Sequence, residues 1–168
     1  MISPRPERLP TKHPPPPVSP LPVKKTSARI GLYFSDPQSD FLAKEVRTVM
    51  WNRGDPKDQI DVIVNELIKG PQGNLQQTIP SNVRLRNIVI KKKGVGVIDL
   101  SKELSQNHPG GTLAEMHTIY SLVNSLLLNI ASLKQVQILV EGQAPETLKG
   151  HIDCRTPFDL NRSIIKSG

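Results

Sequence analysis

His151, Asp153 and Cys154 place an imidazole, a carboxylate and a thiol within four residues near the end of this 168-residue chain. A thiol beside an imidazole can ionise and attack a carbonyl carbon as a thiolate. That chemistry also requires a group orienting the imidazole and donors for the developing oxyanion. If residues 151–154 are extended, His151 and Asp153 share one face and Cys154 points to the other. The spacing therefore favours a terminal strand or loop pinned to the domain over a Cys–His dyad.

Other titratable residues signal less. His117 and Glu115 lie two apart in a helical pattern and do not share a face. His108 precedes Pro109 in a loop, with no fixed partner, and His13 falls in the proline-rich start. Gly94-Val95-Gly96 opens a strand rather than a helix, and no Gly-Lys-Ser/Thr follows, so it is not a phosphate loop. Asp99 and Glu103 could exchange protons, but a strand end and the next turn suit capping and surface roles better. A single Cys excludes a disulfide framework and a Cys-based zinc site. No catalytic, cofactor-binding or metal-binding residue is assigned.

Lys91, Lys92 and Lys93 form the basic run of the domain, with Arg84 and Arg86 upstream on the same hairpin. These five are the candidate contacts for a partner or an anion. Lysines at a hairpin end also protect a sheet edge.

The elements that carry these residues follow from periodicity. Ala28–Phe34 alternates, with Ile30, Leu32 and Phe34 on one face, and reads as a strand. Phe41–Trp51 fits strand and helix equally well. Asp55 caps a helix with Pro56 at its first position, an apolar stripe from Ile60 to Ile68, and Gly70-Pro71 as its stop. Val83–Lys92 and Val95–Leu100 form a hairpin through Lys93-Gly94, with a slip in alternation near Asn87 that predicts a bulge. A second helix follows Gly110-Gly111, with Thr112 and Glu115 at capping-box spacing. Its apolar stripe runs from Leu113 to Ile130. Gln135–Val140 is a last strand. The pattern predicts an α+β domain, a small mixed or antiparallel sheet with two helices packed on one face.

Charge and proline are uneven. The formal net charge is +7, from 22 basic and 15 acidic residues. Six basic residues and one acid lie in residues 1–29, and nine of the 16 prolines precede Val23. Residues 1–27 therefore read as a basic, Pro-rich, disordered linker, and residues 28–168 as a single domain. No apolar run approaches the ~20 residues that span a bilayer. The domain has little net charge, and the tail has no aromatic residue for stacking, so no nucleic-acid partner is expected.

Several segments in order carry a resemblance. IGLYFSD, Glu45 and Arg47 in LAKEVRTV, NELIKGPQGNL, Ile79-Pro80, VGVIDLSKEL, AEMHTIYSLVNSLL, QVQILVEGQ and LKGHID together span about residues 28–165. In this series the chain resembles the GerM-type (GerMN) family of sporulation and spore germination domains. The resemblance implies a ring-building-motif-like fold and makes Phe41–Trp51 a strand. It implies a non-enzymatic, protein–protein assembly role in the bacterial cell envelope, with envelope proteins or further copies of the chain as partners. Family members are often lipoproteins, so an extracytoplasmic location follows, with membrane attachment only through an anchor outside this sequence. A chain complete as given would be cytoplasmic. The alternative is a module for peptidoglycan or another anionic ligand, centred on the Arg84–Lys93 hairpin.

Overall fold

A computed structural model describes residues 3–4, 14–16 and 24–167. Most of the linker read over residues 1–27 lies outside the described residues.

Alternation builds the first hairpin. Strand β1 (Thr26–Ser35) pairs antiparallel with β2 (Leu42–Trp51), Ile30 opposite Arg47 and Phe34 opposite Ala43. Ile30, Leu32 and Phe34 are at most 2% exposed and lie in the main core. The ambiguous segment is thus a strand, as the resemblance implied. Its burial alternates from Glu45 to Trp51, where every second residue turns outward.

Helix α1 (Pro56–Lys69) begins and ends as its sequence dictates. The Asp55 side chain accepts from the Lys57 amide, and Gly70 (φ 88°) donates its own amide to the Leu67 carbonyl. Ile60, Ile63, Val64 and Leu67 are completely buried.

Strand β3 (Leu85–Lys91) pairs antiparallel with β4 (Val95–Leu100), and the register shifts between Leu85 and Asn87, where the alternation slips. Lys92–Gly94 make the turn. Gly94 has φ 79°, and a Cβ there would lie 2.6 Å from the Ser132 carbonyl oxygen. Only glycine fits both the backbone angle and the close approach. A four-residue helix, α2 (Glu103–Gln106), precedes the long α3 (Thr112–Asn129), and β5 (Gln135–Val140) then pairs parallel with β4.

The α+β class holds. The strands divide into a β1–β2 pair and a β3–β4–β5 sheet, with α1 and α3 in the shared core. The capping box does not form. The cap of α3 is Gly111, one residue early, with no side-chain hydrogen bond. Glu115 then stands one position too far along the helix to reach back to the cap amide, and its carboxylate turns elsewhere.

Candidate functional site

The two edges of the β1–β2 pair are treated differently. On its outer side, β1 is closed by a polar row on α3, spaced four residues apart. Asn129 accepts from the Gly31 amide (3.2 Å) and donates to the Gly31 carbonyl (2.8 Å). Ser125 Oγ accepts from the Tyr33 amide at 3.1 Å, and Ser121 Oγ donates to the Tyr33 carbonyl. Ser35 exchanges both backbone bonds with Gln76. The helix thus satisfies the strand as a neighbouring strand would, which separates the two sheets.

The outer edge of β2 is open. Residues 31, 33 and 35 turn their backbone groups away from β2, so the opposed residues 46, 44 and 42 turn theirs away from β1. By the same alternation, Thr48 and Met50 also face outward. Leu42 is covered, since its carbonyl accepts from the Lys166 amide at 2.7 Å. Lys44, Val46, Thr48 and Met50 have no backbone partner on that side among the described residues. Val46 is 49% exposed and Met50 53%, with Phe41 at 44% nearby. An unpaired edge bearing exposed apolar side chains can accept a further strand.

The residues with nucleophilic chemistry are dispersed. Glu115 is completely buried. Its carboxylate accepts from the Lys149 and His151 amides (2.8 and 3.3 Å) and meets His151 Nδ1 at 2.5 Å. Burial pushes its pKa up, but these amides and the imidazole outweigh that and hold it below the ordinary glutamate value. Asp153 is held at about 2 by the Arg155 guanidinium, 2.9 Å away. Cys154 is buried, and desolvation raises its thiol to about 11. Its Sγ donates to the Ile152 carbonyl. His151, Asp153 and Cys154 therefore each have a different partner, in a loop rather than a strand, and the thiol is protonated at neutral pH.

A cleft of about 300 Å³ lies beside the start of α3, lined by Ser35, Gln76, Thr78, Pro109 and His117 among others. His117 Nε2 donates to the Asp40 carbonyl (2.9 Å), which in a neutral ring leaves Nδ1 to accept from Ser35 Oγ (2.9 Å). This hydroxyl–imidazole pair resembles half of a hydrolytic triad, but a carbonyl takes the place of the carboxylate, and the Ser35 amide is spent on Gln76. Its evident work is to tie β1 and the β1–β2 turn to α3. His108, read as lacking a fixed partner, is 5% exposed, meets Thr118 Oγ1 at 2.8 Å and accepts from the Gly110 amide. Gly110 is a local partner two residues on, whereas Thr118 lies ten residues away on α3, where no local pattern links it to a loop histidine.

The five basic candidates fall at two ends of β3, about 20 Å apart. Arg86 pairs with Asp99 (3.3 Å) and Glu141 (3.2 Å), and Arg84 is exposed beside it. Lys91, Lys92 and Lys93 are exposed at the opposite turn. Sequence reading missed the open β2 edge. Its signal was the outward row Lys44, Val46, Thr48 and Met50, which acquires meaning only once the segment is known to be a strand.

Comparison with known proteins bears on this architecture. The chain is similar to a candidate lipoprotein from Clostridium perfringens at 25% identity and TM-score 0.54, over 79% of this chain and 87% of that one. It is similar to the first GerMN domain of the sporulation protein GerM from Bacillus subtilis, at 19% identity and TM-score 0.61, over 81% and 98%. Against the tandem GerMN domains of the same protein the identity is 17% and the TM-score 0.58, over 84% of this chain and 48% of that one. These last two likenesses concern the fold. No curated protein sequence matches the chain. Residues 31–146 match the Germane family, described as sporulation and spore germination, and this span runs from the second half of β1 through β5. On that match the chain belongs to the Germane family of sporulation and spore germination domains.

Proposed function

We infer that the chain is a non-enzymatic assembly module of a bacterial cell envelope, which binds a protein partner by adding a strand to the outer edge of β2. The observation that carries this reading is the asymmetry of the β1–β2 pair. One edge is closed by helix side chains and a backbone bridge, whereas Lys44–Met50 remains unpaired with Val46 and Met50 exposed. Main-chain hydrogen bonds would supply affinity, and the alternating side chains would supply selectivity. The extracytoplasmic location is supported by the likeness to the candidate lipoprotein and by family membership.

The test compares the wild-type chain with a Val46→Lys/Met50→Lys variant in cross-linked cells. Defined envelope adducts formed by the wild type should be lost in the variant, which changes only exposed positions and should melt with the wild type. Identical adducts from both chains would overturn the reading.

A further inference from the structure

The domain is electrically polar. Asn129, Ser125 and His117 of α3 meet Gly31, Tyr33 and Ser35 in turn, so α3 runs antiparallel to β1. As the crossover between parallel β4 and β5, it also runs antiparallel to them. Helix α1 starts where β2 ends, since Asp58 accepts from the Asn52 amide, and Glu66 further along pairs with Arg47. Hence β1, α1, β4 and β5 all start at one end of the domain.

That end is basic. Lys91, Lys92 and Lys93 stand on the turn that touches Lys134, whose amide donates to the Gly94 carbonyl. Lys24 and Lys25 enter β1 there, and Arg53 and Lys57 flank the start of α1. All eight are exposed. The acids nearest these residues are Asp55, Asp58, which lies 4.0 Å from Lys25, and Asp159, with Asp61 one turn further along α1. From residue 24 onward the chain has 19 basic and 14 acidic residues, an excess of five, and the eight bases named here exceed Asp55, Asp58 and Asp159 by the same five. Lys91, Lys92, Lys93 and Lys134 make no ion pair among the described residues. Residues 1–23, which precede Lys24 in the sequence, add Arg5, Arg8 and Lys12 against Glu7.

We propose that this basic end docks on an anionic lipid surface. Its charges sit on projecting turns and chain starts, whereas the cleft lies at the opposite end, beside Ser35 and His117. Projecting lysines spread over one end suit a surface of many headgroups rather than a single enclosed ligand. Each basic residue within a Debye length, about 8 Å, of such a surface strengthens attachment. The proposal is independent of the β2 edge, and either can fail alone.

The full 168-residue chain is tested by co-sedimentation with vesicles of phosphatidylcholine alone or containing phosphatidylglycerol. It should bind only the anionic vesicles and release at high salt. Lys91→Glu/Lys92→Glu/Lys134→Glu should weaken binding by roughly tenfold or more, and Arg5→Gln/Arg8→Gln/Lys12→Gln by much less. Lys93 is left alone because its φ is 68°. Unchanged binding in the domain variant, or loss in the tail variant alone, would overturn the proposal. So would binding to isolated cell walls with none to vesicles. If the reversed variant fails to melt like the wild type, glutamine at the same three positions supplies the comparison.

Discussion

Asn129 holds both the amide and the carbonyl of Gly31, at 3.2 and 2.8 Å, from 98 residues away in the chain. One carboxamide thus does for β1 what a neighbouring strand would do, and β2 is left as the edge that can still pair. Replacing Asn129 with Leu strands both groups of Gly31. It should cost about 1–3 kcal/mol, read as a lower urea midpoint with an unchanged slope.

Gly94→Ala should destabilise by about 1–3 kcal/mol. The residue has positive φ, and the added Cβ meets backbone rather than a flexible side chain. Gly111→Ala should cost less, because its φ is also positive but nothing lies within 4 Å. Paired urea titrations measure the difference.

Acid should loosen the segment that follows β5, which Glu115 holds at Lys149 and His151 and Asp36 holds at Lys166. Glu115 has a folded pKa below its ordinary value, so its contribution is complete above about pH 4.3 and is lost as pH falls through the folded value. Asp36, held at about 2 chiefly by Lys166, behaves in the same direction between its ordinary 3.8 and that value. Stability measured against pH should therefore decline below about pH 4.3. Glu115→Gln should flatten that decline and cost about 2 kcal/mol at neutral pH, because the His151 contact and two amides lose a charged acceptor.

The nucleophile candidates should be inert in the folded chain. Iodoacetamide should label Cys154 only after denaturation, since the thiol is buried and raised to about 11. A fluorophosphonate should leave Ser35 unmodified. Rapid labelling of either in the native protein would bring back an enzymatic reading.

Much of this architecture was legible locally. The cap, stripe and Gly-Pro stop of α1 all act within a few residues, as does the slip at Asn87 that marks the β3 bulge. The second segment could not be settled by periodicity, because Phe41, Leu42, Val46, Val49 and Met50 fit a helix as well as a strand, and only the pairing with β1 decides it. The apolar stripe of α3 showed in the sequence, but its row Ser121, Ser125 and Asn129 did not. Those residues acquire a role only when β1, some 90 residues earlier, lies alongside. The partners of Glu115 and His151 are likewise fixed by tertiary packing, so neither capping-box spacing nor the local Cys154 cluster revealed them.

Site-specific photocrosslinking at Thr48 in the native host tests the central claim most directly. Thr48 lies on the open edge between Val46 and Met50, whereas Asp61 projects from α1 and serves as a matched exposed control. The account predicts discrete envelope-protein adducts from position 48, absent at position 61 and lost in the Val46→Lys/Met50→Lys background. Adducts at position 61 with none at position 48 would contradict it.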